Sequence, residues 1–321
     1  MKKILLKIDS IFGSPFFGFN EYLKLKKRFI YYNKQLQERL NKYPNLKFNK
    51  TKIVNQLEEN GFIVIKNFLD VDILEKIKND FDKYLNTGTN LLPVSNDSIR
   101  EKNDLKPSKV FLSPEDLNKG QQFCRNYTNN MVLKDPLLNI NEISSLAFNE
   151  NIINITSSYL GTLSALGGLN LRKSFVNSIP EFDTQYFHID PNSAKFLKCF
   201  FYLNDVDENG GPFCYIRGSH KKRFFGHTKK YRWTLEEMLT KYKKEDIVNI
   251  IANVGDLIIA DTNGFHRGNP ITSNDRYMLT LDYVIHHEFD GKINSFKISK
   301  SAFNNIELNF KGAADFLEIQ N

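Results

Sequence analysis

Phe201-Tyr202-Leu203-Asn204-Asp205-Val206-Asp207-Glu208-Asn209-Gly210-Gly211-Pro212 reads as the end of one apolar strand, a turn, and the start of another. Asn, Gly and Pro between apolar runs are turn chemistry, and the turn Glu208–Gly211 predicts a hairpin. From about residue 168 onward the same pattern repeats. Strands are predicted near 169–178, 184–190, 195–204, 212–217, 248–252, 256–261 and 276–287, separated by short turns. One helix interrupts them, opened by the capping box Thr234-Leu235-Glu236-Glu237. Many short strands without long helices between them predict a mainly β fold with flanking helices, a sandwich or jelly roll.

Working back toward the amino terminus, the pattern becomes helical. Thr51 caps a predicted helix that ends at Gly61, followed by the short buried strand Phe62-Ile63-Val64-Ile65. Asp70 caps a second helix with Leu74, Ile77, Phe81 and Leu85 at helical spacing, closed near Gly88. Residues 89–135 are polar and are expected to form loops over the site, and a helix near 149–160 ends at Gly161. Residues 21–43 predict a basic helix with Leu25, Phe29, Leu36 and Leu40 on one face.

The charge is unevenly placed. Residues 1–50 hold 12 Lys and Arg against 3 Asp and Glu, a net +9, while the remainder holds 32 against 34, a net −2. The reading divides the chain into a basic amino-terminal extension, 1–50, and a catalytic domain, 51–321, with its β core at about 165–290. The basic helix is read as packed on the main domain, with contact to an acidic lipid surface or partner as the sharper reading. A near-neutral body weakens any reading of the active site as a general anion trap, and no nucleic-acid partner is expected. No apolar run reaches the ~20 residues that span a bilayer. Lys7 and Asp9 interrupt the apolar start, so no export signal is read. Three cysteines without metal spacing fit a reducing, cytoplasmic setting.

Within the strand region lie the candidate metal ligands. His188 and Asp190 are two apart in Thr184-Gln185-Tyr186-Phe187-His188-Ile189-Asp190, and alternate residues of a strand share a face. His266 follows a strand far downstream. Two imidazoles and a carboxylate leave three positions of an octahedral Fe(II) open, which oxygen chemistry needs. Arg276 opens the strand Arg276–Val284, and an inward guanidinium there needs an anion; a carboxylate matches its planar fork. The bland alternative pairs Arg276 with Asp275 or Asp282.

Together these motifs resemble the phytanoyl-CoA dioxygenase family of Fe(II)/2-oxoglutarate oxygenases. The resemblance runs from about residue 55 to about 285. Glu59–Leu69 looks like the family's opening element, Phe201–Pro212 like its central hairpin, and Arg217-Gly218-Ser219-His220 is similar to its Pro-Gly-Ser-His turn. Gly255-Asp256-Leu257 and His266 to Arg276 match its last motif. The resemblance implies a double-stranded β-helix (cupin-like) in which His188, Asp190 and His266 hold iron. Arg276 would bind the distal carboxylate of 2-oxoglutarate, with O2 as the second cosubstrate. Strand 170–177 looks like the one lining the cosubstrate pocket, and Lys173 and Asn177, four apart, are expected there. The implied reaction hydroxylates a small or carrier-linked metabolite with release of succinate and CO2. Asp190 stands where halogenating relatives carry a small residue, which points to oxygenation. Arg217 replaces the usual proline, and Gly268 stands where many members carry a serine. Two other classes remain at this point: a non-redox cupin-like metal or sugar binder, and a partner- or membrane-binding protein run by the basic segment.

His220 is expected to be structural, His227 exposed, and His286-His287 far from the metal. Trp233 is read as a packing anchor.

Overall fold

The computed structural model describes residues 15–94, 112–176, 183–190, 193–224, 227, 230–286 and 296–320. Two antiparallel sheets carry the fold, with helices on the outer face of the larger one. Their strands, in chain order, are β1 (Phe62–Ile65), β2 (Leu91–Val94), β3 (Asn130–Leu133), β4 (Ala165–Ser174), β5 (Leu197–Tyr202), β6 (Phe213–Ile216), β7 (Ile247–Ile250), β8 (Leu257–Ala260), β9 (His266–Gly268) and β10 (Arg276–Val284). The major sheet runs β1-β8-β5-β10-β4-β3-β2 and the minor sheet β7-β6-β9. A small parallel pair, β11 (Phe296–Ser299) and β12 (Leu317–Gln320), lies outside both. The architecture is a double-stranded β-helix whose sheets do not close into a barrel.

Side-chain parity divides the major sheet into two faces. Tyr277, Leu279, Leu281 and Tyr283 of β10 join Leu169 and Leu171 of β4 and Cys199 and Phe201 of β5 in the large core under the helices. There they meet helix α1 (Pro15–Lys42) through Tyr32, helix α2 (Lys52–Asn60) through Val54 and Leu57, and helix α3 (Val71–Thr87) through Leu74, Ile77, Phe81 and Leu85. Each such side chain contributes about 1.5–3 kcal/mol when fully buried. The opposite parity (Arg276, Met278, Thr280, Asp282) faces the minor sheet. Met278, Phe200 and Tyr202 pack there against Phe213, Tyr215 and Ile250.

Helix signals in the sequence are matched closely. Thr51 caps α2 and Asp70 caps α3, with Gly61 and Gly88 left-handed at their ends. Asn149 caps helix α4 (Glu150–Leu160), and Thr234 and Glu237 form both halves of the capping box on helix α5 (Leu235–Leu239). Gly61, at φ +84, has a second constraint: a Cβ there would overlap Tyr215 Oη. That hydroxyl donates to the Asp261 carbonyl at 2.8 Å, on the turn that precedes His266.

Four expectations change. The turn at Glu208–Gly211 is not a hairpin: β5 belongs to the major sheet and β6 to the minor sheet, so the segment crosses between layers. Asp207 Oδ1 holds that crossing by accepting from the amides of Asn209 (2.9 Å) and Gly210 (2.8 Å). Residues 184–190 form a short 3-10 turn followed by isolated bridges, not a strand. Part of 89–135 is strand: β2 and β3 extend the major sheet beyond β4. On α1, Phe29 is 54% exposed, while Tyr32 and Arg39 face the body. No described helix is long and apolar enough to cross a membrane.

Candidate metal centre

The two histidines are brought together by backbone. His188 and His266 form an isolated antiparallel bridge, exchanging both main-chain hydrogen bonds at 2.9 and 3.0 Å. Directly paired residues present their side chains on one face, and the ring centroids stand 4.2 Å apart. Asp190 is fixed two residues on, where its amide donates to the Thr262 carbonyl at 3.0 Å. Candidate ligand atoms of His188, Asp190 and His266 lie within 4.8 Å of one another. Asp190 Oδ1 is 3.7 Å from His188 Nε2, and Oδ2 is 3.5 Å from His266 Nε2. Cis ligands on metal bonds of about 2.1 Å would stand about 3 Å apart, so small side-chain shifts suffice.

The donor set fits a metal for a second reason. Each imidazole donates Nδ1–H to the carbonyl two residues upstream, His188 to Tyr186 and His266 to Gly264, both at 2.9 Å. Those bonds set the tautomer and leave Nε2 as the lone-pair donor. Burial, and next the neighbouring His266, push His188 well below its ordinary range, so it is neutral as a ligand must be. Burial alone would raise Asp190, but Lys198 and the two histidines outweigh it and hold the carboxyl well below the usual range.

Lys198 and Asp282 were not anticipated as parts of the centre. Lys198 Nζ stands 2.9 Å from Asp190 Oδ2, an ion pair outside hydrogen-bond alignment, and 3.6 Å from Asp282 Oδ2. Its signal was a lone charge inside the apolar run Leu197-Lys198-Cys199-Phe200. Opposite Lys198 in register is Asp282 of β10.

Arg276 begins β10 on the same inward face, 6% exposed. It donates to the Gly211 carbonyl and, at 3.5 Å, toward Ser174 Oγ; its Nε is enclosed and unbonded. Neither acid of the bland reading reaches it. Asp275 pairs with Arg125 at 2.9 Å and Lys173 at 3.3 Å, and Asp282 pairs with Lys198. Arg276 therefore has no carboxylate among the described residues. Space is open beside it, since a Cβ on Gly268 would meet nothing closer than the Arg276 Nη atoms at 3.7 and 3.9 Å.

Lys173 does not join this group. It lies on the opposite face of β4, where it donates to Tyr277 Oη at 2.5 Å and Gln121 Oε1 at 2.7 Å. The β4 residues that share Arg276's face are Arg172 and Ser174, and Ser174 is its register partner. Asn177 falls outside the described residues, as does His287. His220 ties Nε2 to the Glu58 carbonyl at 3.0 Å. His227 is buried rather than exposed. His286 is buried against Ser193 and Tyr31. Trp233 packs edge-on against Phe224 at 4.9 Å.

Fold and site together define a double-stranded β-helix protein with a two-histidine, one-carboxylate centre. The family model described as phytanoyl-CoA dioxygenase (PhyH) matches residues 174–278, and over that span, which holds all three triad residues, Lys198 and Arg276, the chain is similar to that family. The cofactors that go with this family are Fe(II), 2-oxoglutarate and dioxygen. Among solved structures, the 2-oxoglutarate-dependent epimerase SnoN from nogalamycin biosynthesis is 13% identical with a TM-score of 0.51, covering 73% of this chain and 82% of its own. That likeness shows a shared fold. HygX from Streptomyces hygroscopicus with nickel and 2-oxoglutarate bound (13% identity, 73% and 87% covered, TM-score 0.48) and EctD from S. alaskensis with bound Fe (15%, 73% and 76%, 0.48) are further similar structures. No curated protein matches the chain in sequence.

Proposed function

We propose that this protein is an Fe(II)/2-oxoglutarate-dependent oxygenase that hydroxylates a small or carrier-linked metabolite, releasing succinate and CO2. The observation that carries the reading is the pairing of a three-ligand cluster, both histidines buried, with a buried arginine that has no acid partner among the described residues. His188, Asp190 and His266 would hold the iron through Nε2, a carboxylate oxygen and Nε2. Iron supplies O2 activation coupled to oxidation of the cosubstrate.

The protein supplies orientation. Arg276 binds the cosubstrate's distal carboxylate through its fork, in the room that Gly268 leaves. Lys198 faces one oxygen of Asp190, so that oxygen stays charge-balanced while the other is available to the metal. Phe200, Tyr202, Phe213 and Met278 pack between the sheets and give the centre an apolar floor. With Asp190 in place, a carboxylate fills the position that a halide would need, which supports oxygenation.

The test separates metal from cosubstrate. Zn(II) and 2-oxoglutarate binding are measured by calorimetry on the wild-type protein and Arg276→Ala. Loss of charge-assisted bonds worth about 1.5–3 kcal/mol weakens 2-oxoglutarate by roughly tenfold to a hundredfold, with Zn(II) affinity unchanged. Equal 2-oxoglutarate affinity in the two proteins would overturn the assignment.

A further inference from the structure

The inward face of β4 carries a second cation that the proposed centre does not use. Arg172 pairs in register with Met278, one step along the sheet from the Ser174–Arg276 pair and toward Asp282. Its side chain makes no hydrogen bond or ion pair with a described residue, and Nε is closed off from solvent. The nearest acids in its field, Asp282 and Asp190, are both held within ion-pair distance by Lys198. Burial, and then repulsion from Arg276, push Arg172 down to about 10. Two guanidinium groups on one sheet face, Arg276 buried and Arg172 with a buried, unbonded Nε, neither paired with an acid among the described residues, are costly unless an anion joins them.

A charge count, which rests on the function proposed above, says which anion. The two charges of Fe(II) are balanced by those of 2-oxoglutarate. Asp190 balances Arg276, and Asp282 balances Lys198. Arg172 is left over, so among the described residues the filled centre still holds one positive charge. A second orphan stands beside it: Asn170, two residues earlier on the same face, has its side-chain oxygen buried without a donor.

We propose that Arg172 anchors an anionic group of the molecule that is oxidised, which makes the substrate a small organic anion such as a carboxylate, sulfate or phosphate ester. Asn170 then accepts an N–H or O–H of the same molecule, roughly 7 Å away along the strand at two residues of about 3.3 Å each. Arg276 keeps the cosubstrate, and the two guanidiniums divide the two ligands between them.

The test uses Zn(II)-loaded protein saturated with 2-oxoglutarate. Its thermal midpoint is followed while acetate, sulfate or uncharged acetamide is added, with sodium chloride as the ionic-strength control. The wild type is expected to show a saturable rise with acetate or sulfate that acetamide and chloride do not reproduce. Arg172→Gln abolishes that rise and Arg172→Lys retains part of it, while 2-oxoglutarate affinity changes less than about threefold in both. The proposal is overturned if the wild type shows no saturable rise, if Arg172→Gln keeps it, or if Arg172→Gln loses 2-oxoglutarate by tenfold or more, which would assign Arg172 to the cosubstrate. Failure of the underlying reading shows separately, as wild-type protein that binds no metal or no 2-oxoglutarate.

Discussion

At the residue scale, the centre is organised by what each donor's other end is doing. Both imidazoles spend Nδ1 on a carbonyl and face Nε2 inward. Asp190 shares its charge with Lys198, which in turn leans on Asp282. Lys198→Met leaves two partly buried carboxylates without their shared ion-pair partner and is expected to cost about 3 kcal/mol in metal-free protein. Bound Zn(II) takes over part of the Asp190 charge, so the loss is smaller in metal-loaded protein. Denaturant titration with and without Zn(II) checks this, and an equal loss in both states would speak against Asp190 as a ligand. His188→Ala is expected to weaken Zn(II) binding at least tenfold while leaving the fold intact, read by calorimetry and circular dichroism. His188, Asp190, His266 and Arg276 were legible as chemistry-bearing residues in a strand-rich region. Lys173 was placed on the wrong face, although the parity was readable: Lys173 continues the apolar series Leu169, Leu171, whereas Arg172 alternates with Asn170 and Ser174.

Among elements, caps and glycines were readable because they are local chemistry. Thr51, Asp70, Gly61, Gly88 and Thr234 act within a few residues of where they stand. Pairing is not local. Nothing in Phe201–Pro212 distinguishes a hairpin from a crossing between sheets, since both need a turn, and the strands' partners lie 31 or more residues downstream. Segment 184–190 alternates like a strand, yet its described pairing is limited to bridges from Phe187 to Trp233 and from His188 to His266. The turn before β8 shows how strand ends are fixed. Asp256 accepts from the Asn67 amide at 3.0 Å, the Asn253 amide at 2.9 Å and Lys66 Nζ at 2.7 Å. Burial raises its pKa, and those bonds more than reverse that, leaving the carboxyl below its ordinary value. A depressed carboxyl stabilises the fold above its unfolded pKa and loses that contribution as pH falls through the folded one. Asp256→Ala is therefore expected to cost about 2 kcal/mol near neutrality, with the difference from wild type fading below pH 3.8. Urea midpoints measured across that range check it; a difference independent of pH would contradict the account.

For the whole molecule, the basic leading segment is tied to the body by a buried cation. Arg39 of α1 donates to the Leu163 carbonyl at 2.8 Å and the Gly312 carbonyl at 3.1 Å, and pairs with Asp315 at 3.1 Å. Three distant parts of the chain meet at one guanidinium, a fact that helical spacing alone does not carry. Arg39→Ala leaves two carbonyls and a carboxylate short of a donor, and is expected to lower stability by about 3 kcal/mol, read as a drop in the denaturation midpoint; no change would mean the helix is not docked in solution. The two sheets do the rest. The major sheet carries Arg276 and Lys198, the minor sheet carries His266, and the space between them is where metal, cosubstrate and substrate would meet. Anaerobic addition of Fe(II) and then 2-oxoglutarate to the purified protein tests that most directly. A weak visible absorption band is expected that needs both additions and is lost in a protein carrying His188→Ala and His266→Ala together. A folded, iron-loaded wild type that shows no such band would contradict it.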